Sequence, residues 1–139
     1  MKCKNFAIHE LIPPALYKKR GEKAWKLINI NLIKSLDALK ENFPLGGITI
    51  NDYHWGGKRL WSGIRTSDSS YYSNSSLHSY GMAVDCIFSY EGYNVEEIRQ
   101  FIIANPDKFP YIKGIEMGIS WLHIDVRNTD KLELFYPNT

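Results

Sequence analysis

The chain has 139 residues, 44% hydrophobic and 23% charged. That is enough for one packed core and too little for two, so a single domain over residues 1–139 is expected. Seventeen Lys and Arg against fifteen Asp and Glu leave a formal net charge of +2, which excludes the strong uniform field that drives nucleic-acid binding. Two cysteines, Cys3 at a terminus expected to fray and Cys86 in an apolar run, exclude a disulfide framework.

No apolar stretch follows the basic start Met1-Lys2-Cys3-Lys4, and no window approaches the ~18 apolar residues of a membrane span. The expectation is a chain without an export signal that does not insert into membranes. From about Glu22 to Asn42, Trp25, Ile28, Leu32, Ile33, Leu36 and Leu39 recur at three- and four-residue spacing. That pattern predicts one amphipathic helix. Phe43-Pro44-Leu45-Gly46-Gly47 ends it, and Ile48-Thr49-Ile50 reads as a short strand. Further strands are predicted around 60–65 and 82–88.

Thr66 to Leu77 reads TSDSSYYSNSSL, with six serines, two tyrosines and one charge. It is a polar loop, long enough for a functional lid and equally consistent with plain surface. The match of Asn74-Ser75-Ser76 to a glycosylation acceptor is read as chance. Asn94, with Glu97 three residues on, predicts a capped helix carrying Ile98, Phe101 and Ile102 and ending at Asn105-Pro106. Residues 111–126 alternate as a hairpin. Gly118 suits the first central position of a two-residue type II′ turn, which pairs Met117 with Ser120, Glu116 with Trp121 and Ile115 with Leu122.

The chemistry concentrates in Ser76-Leu77-His78-Ser79-Tyr80-Gly81-Met82-Ala83-Val84-Asp85, an S-x-H-x-x-G-x-A-x-D segment. If 82–88 is a strand, Ala83, Asp85 and Ile87 share one face, and Met82, Val84, Cys86 and Phe88 face the core. Gly81 permits a tight approach to the strand, and Ala83 leaves room beside Asp85. In Trp121-Leu122-His123-Ile124-Asp125 a polar face again opposes an apolar one. The predicted hairpin sets Glu116 diagonal to His123 at roughly 7 Å between backbones.

His78, Asp85 and His123 can thus converge as three metal ligands beside a free carboxylate, Glu116. Two imidazoles and a carboxylate with an open fourth position is the pattern of a catalytic zinc site. Another divalent ion is compatible with the same ligands. The plainer readings are satisfied or exposed imidazoles, with Asp85 serving as a cap or paired to Arg65.

The S-x-H-x-x-G-x-A-x-D element followed by Trp121-x-His123 resembles the zinc peptidases of bacterial cell walls. These are the D-alanyl-D-alanine carboxypeptidases and dipeptidases and the phage L-alanyl-D-glutamate endolysin peptidases, whose metal fold hedgehog signalling domains share. The resemblance covers about residues 48–127. It implies an α+β fold with a small antiparallel sheet that carries the metal site and packs against helices. It further implies Zn2+ on His78, Asp85 and His123, with Arg65 in Ser62-Gly63-Ile64-Arg65 binding substrate. One position departs: the acid that many members carry three residues before the last His is Ser120 here. Glu116, seven residues before it, is the substitute that the hairpin offers.

The expected function is a zinc metallopeptidase that hydrolyses an amide bond in peptidoglycan stem peptides, as a D,D-carboxypeptidase or an L-alanyl-D-glutamate endopeptidase. A phage lysin, monomeric, made in the cytoplasm and acting at the cell wall after holin release or from a virion, fits these expectations. Glu116 would serve as the base and Arg65 as the grip on a carboxylate or oxyanion. Asp125 would orient the His123 imidazole, or else pair with Arg127. Ser76 would support Asp85 or the loop backbone, and Trp121 and Tyr80 would line the substrate groove. The alternative is a catalytically silent zinc-fold module that binds peptidoglycan or a protein partner. His9 and His54 are read as structural or surface residues, and Lys18-Lys19-Arg20 as a solvated face.

Overall fold

A computed structural model describes residues 3–137. Three α-helices, α1 (Pro14–Arg20), α2 (Ile30–Asn42) and α3 (Val95–Ala104), accompany five strands. The strands are β1 (Ile48–Thr49), β2 (Ala83–Phe88), β3 (Gly114–Glu116), β4 (Leu122–Asp125) and β5 (Glu133–Phe135). They form one sheet in the order β1-β2-β4-β3-β5. The α+β class stands, but the sheet is mixed rather than wholly antiparallel, because β5 runs parallel to β3.

Alternation along the strands decides the two faces. Val84, Cys86, Leu122, Ile124 and Ile115 are buried and join Leu32, Leu36 and Leu39 of α2 and Ile98 and Ile102 of α3 in one hydrophobic cluster. Ala83, Asp85, His123, Asp125, Gly114 and Glu116 stand on the opposite face, as the β2–β4 and β3–β4 registers require.

Three predicted elements differ. The long helix is two: a 3-10 segment (Gly21–Leu27) and α2, separated where Ile28 is extended. Asn29 caps α2 by accepting from the Asn31 N–H and donates its own N–H to the Gly81 carbonyl, so the chain turns to meet the site loop. Residues 60–65 form no strand. Their amides go to scattered acceptors, Ser62 to the Asn51 side chain, Ile64 to Leu11 and Arg65 to His78, which leaves no ladder for an extended run to join.

The hairpin register also differs, with Gly114 opposite Asp125 and Ile115 opposite Ile124. The shift is two residues, so every side chain keeps its face. A two-residue turn is replaced by a wider connection because buried Arg99 of α3 donates to the carbonyls of Ile119 and Trp121. Cys3 does not fray either. It is buried, its thiol donating to Asp37 at 3.0 Å, and burial pushes that thiol up to about 12. No helix among the described residues is long and apolar enough to cross a membrane.

Candidate metal centre

The 3-10 segment Leu77–Tyr80 carries His78, and Ser76 caps it by accepting from the His78 N–H. Ser76 therefore supports the loop backbone, not Asp85. Gly81 ends the segment at φ +68, and a Cβ there would collide with the Leu27 carbonyl. Glycine is required both by conformation and by space. The chain then runs into β2, where Asp85 stands directly opposite His123 of β4.

The donor atoms of His78, Asp85 and His123 lie within 4.8 Å of one another, a group that could hold a metal ion. Asp85 Oδ1 is 2.9 Å from His123 Nδ1 and 3.5 Å from His78 Nε2. Each imidazole is also held from behind. His78 Nδ1 is 3.0 Å from the Gly63 carbonyl, an acceptor only, so that nitrogen carries the proton and Nε2 faces inward. His123 Nε2 is 3.0 Å from Asp125 Oδ2, which leaves Nδ1 inward by the same argument. Outer acceptors of this kind fix the tautomer of ligating histidines.

Asp125 satisfies both of its sequence readings, because Arg127 also grips it in a fork, Nε to Oδ1 and Nη2 to Oδ2, each at 2.8 Å. The fully buried carboxylate fits because its neighbours on either side are Ala83 and Gly114. A Cβ at Gly114 would collide with Asp125 and Arg127. The small side chain of Ala83 stands opposite Asp125 and so makes room for that carboxylate.

The charges follow from these contacts. Burial opposes ionisation of Asp85, yet hydrogen bonds from His123 and His78 outweigh it and hold the carboxyl well below its usual range. Asp125 is likewise disfavoured by burial and brought to about 2 by Arg127 and His123. Burial would lower His123, but Asp125 and Asp85 on its two nitrogens raise it to about 9. Without an ion, His123 is an imidazolium between two carboxylates, and a metal would take the place of its inner proton. The donor set fits a divalent cation: two imidazoles, one anionic oxygen, and an outer acceptor behind each ring.

Arg65 is bound to Asp85 Oδ2 at 3.1 Å and to the Trp61 carbonyl at 2.9 Å through Nε, with the Tyr71 ring against its guanidinium. Burial lowers it below the ordinary arginine value, against the charges of Asp85 and Glu116. Glu116 is half-buried, and its carboxylate makes no hydrogen bond among the described residues. Extending the β3–β4 register by one residue sets it beside His123, closer than the predicted diagonal.

Arg65 and Asp85 line a cleft of about 380 Å³ with Trp121, Trp61 and Tyr71. His78, His123, Ser75 and Phe135 line a second depression. The ligand group contributes to both, Asp85 to the first and the two imidazoles to the second. Trp121 is in the groove as expected. Tyr80 is not: its hydroxyl binds the Asn74 carbonyl, and it lines a separate hollow with Leu16, Leu27 and Tyr72. The sequence assigns no role to Gly63, Gly114 or Arg99. Gly63 stands there inside the Ser62-Gly63-Ile64-Arg65 motif, and Gly114 as a residue without a side chain on the wet face of a strand.

Comparison with protein-family models, with curated proteins and with solved structures finds no match to this chain.

Proposed function

We propose that this protein is a metal-dependent peptidase that hydrolyses an amide bond in a bacterial peptidoglycan stem peptide, as a lysin acting at the cell wall. The observation that carries the reading is the convergence of His78, Asp85 and His123, with each imidazole held from behind by its own acceptor. The resemblance of the two motifs to cell-wall peptidases supplies the substrate class. His78, Asp85 and His123 would hold the ion, with zinc the favoured metal for this donor set. When bound, such an ion polarises a carbonyl and lowers the pKa of its water toward about 7.

The chain's own groups do the rest. Gly63 and Asp125 keep both imidazoles turned inward. Glu116, on the His123 face and with no hydrogen bond to its carboxylate among the described residues, takes a proton from water and passes it to the leaving amine. Arg65, fixed through Nε and Nη2, has Nη1 left to donate to a developing oxyanion.

Purified peptidoglycan incubated with the zinc-supplied protein should release fragments detectable by mass spectrometry. Release of D-alanine would identify a carboxypeptidase, and stem peptide beginning at D-glutamate an endopeptidase, and His123→Ala should abolish either. Zinc binding without any release would overturn the peptidase reading in favour of a silent binding module, which Ser120 at the usual acid position would suit. Unchanged turnover in Glu116→Ala would remove Glu116 from the mechanism.

A further inference from the structure

The cleft beside the metal centre is unequally charged. Of its lining residues, Lys58, Arg59 and Arg65 are cationic and Asp85 alone is anionic. Asp85 has both oxygens engaged, Oδ1 toward the two histidines and Oδ2 on Arg65. Arg65 in turn is held by Asp85, the Trp61 carbonyl and the Tyr71 ring. Arg65 and Asp85 thus offset each other's charge. Lys58 and Arg59 remain, exposed, and neither ammonium nor guanidinium makes a hydrogen bond or ion pair among the described residues.

Their backbone is held in place. The Arg59 N–H donates to Asp52 Oδ1 at 2.8 Å, the Asp52 N–H to the Arg59 carbonyl, and the Gly57 N–H to the Asp52 carbonyl. Residues 52–59 therefore form a closed loop. A Cβ at Gly57 would collide with the Asp52 carboxylate, so the loop tightens around an acid already committed to the backbone. Two unpaired cations on a fixed loop, beside the aromatic walls Trp61 and Trp121, make a receptor for an anionic group on an otherwise apolar or amide ligand. A forked guanidinium is the natural partner of a carboxylate.

We propose that Lys58 and Arg59 determine specificity, binding a free carboxylate of the substrate peptide so that acidic peptides are preferred over amidated ones. The word substrate rests on the peptidase reading; carboxylate recognition does not. It also moves the carboxylate grip from Arg65, whose charge is paired with Asp85, to the loop before it.

The test uses three peptides. Acetyl-L-Ala-D-Glu-L-Ala-amide carries a side-chain carboxylate, acetyl-L-Ala-D-Gln-L-Ala a terminal one, and acetyl-L-Ala-D-Gln-L-Ala-amide none. Binding is read by calorimetry for the zinc-supplied protein and again after chelation, so that direct ligation of an ion by the peptide is separated out. At least one acidic peptide should bind about tenfold or more tightly than the neutral one in both states, and the stronger of the two identifies the source of the carboxylate. Lys58→Ala/Arg59→Ala should erase that advantage while zinc stoichiometry, an index of folding, stays at the wild-type value. Equal binding of all three peptides, no binding by any, or an advantage that survives the double variant would each overturn the inference. Cleavage is followed in the same zinc samples. Cleavage without preference sinks this inference and leaves the peptidase reading intact, and preference without cleavage does the reverse.

Discussion

The four histidines form two pairs built on opposite principles. His78 and His123 meet edge to face, their centroids 5.3 Å apart and planes at 64°. A carboxylate stands between them and an acceptor stands behind each. His9 and His54 lie stacked, 3.9 Å apart at 16°, boxed by Tyr17 and Trp55. His9 Nδ1 is buried without a hydrogen-bond partner among the described residues. The first pair spends its surroundings on fixing protons and aiming lone pairs. The second uses its rings as flat packing surfaces and leaves a polar atom unanswered. Proximity alone thus does not distinguish the two pairs; the atom behind each ring does.

The largest effect that would break this contrast is on metal content. His123→Ala should reduce zinc from one ion per chain to near none by elemental analysis after dialysis, whereas His54→Ala should keep it. Equal loss in both would end the distinction. Asp125→Asn leaves the shape and removes the charge behind His123, and should weaken zinc by about 10–100-fold in a chelator competition. An unchanged affinity would show that the outer acceptor is dispensable.

Gly114→Ala sharpens the same point through packing, because its methyl would have to displace the buried Asp125–Arg127 pair. A loss of about 1–3 kcal/mol in urea unfolding is expected. The smallest effect concerns the other pair. Burial, then the neighbouring His54, depress His9 below its ordinary 6.5. The unfolded chain therefore takes up a proton at His9 before the folded one does, and this contribution to stability is lost as pH falls from about 6.5. His9→Phe should leave stability near neutral pH little changed and lessen its decline between pH 7 and 5. An identical pH profile would show that His9 is not under strain.

How much of this could be read beforehand depended on range. Alternation acts between adjacent residues, so it sets Asp85 and His123 each opposite the apolar face of its own strand, and a register error of two residues cannot change a face. The register itself depends on Arg99, twenty and twenty-two residues upstream of the two loop carbonyls it grips. The break at Ile28–Asn29 was hidden because the apolar spacing runs through it, while its cause is the Gly81 carbonyl fifty residues away. The stacking of His9 on His54 joins two segments with no common period. Tyr80 was assigned to the groove by its place in the motif, but a 3-10 turn distributes its side chains on all sides, and its hydroxyl went to Asn74.

The two glycines that flank His78 in space have a consequence for transplanting the site. Gly63, whose carbonyl fixes the imidazole, is pressed against the backbone of Leu11, and Gly81 against that of Leu27. Leu11 also accepts from Ile64, and Asn29 donates to Gly81. Both glycines are sockets cut to the profile of a segment that contributes no ligand. A graft carrying only residues 62–125 into another scaffold would arrive with its sockets empty and the mould for His78 missing. The heritable unit of this site is therefore nearly the whole chain, and its N-terminal thirty residues serve as the die in which the motif is cast.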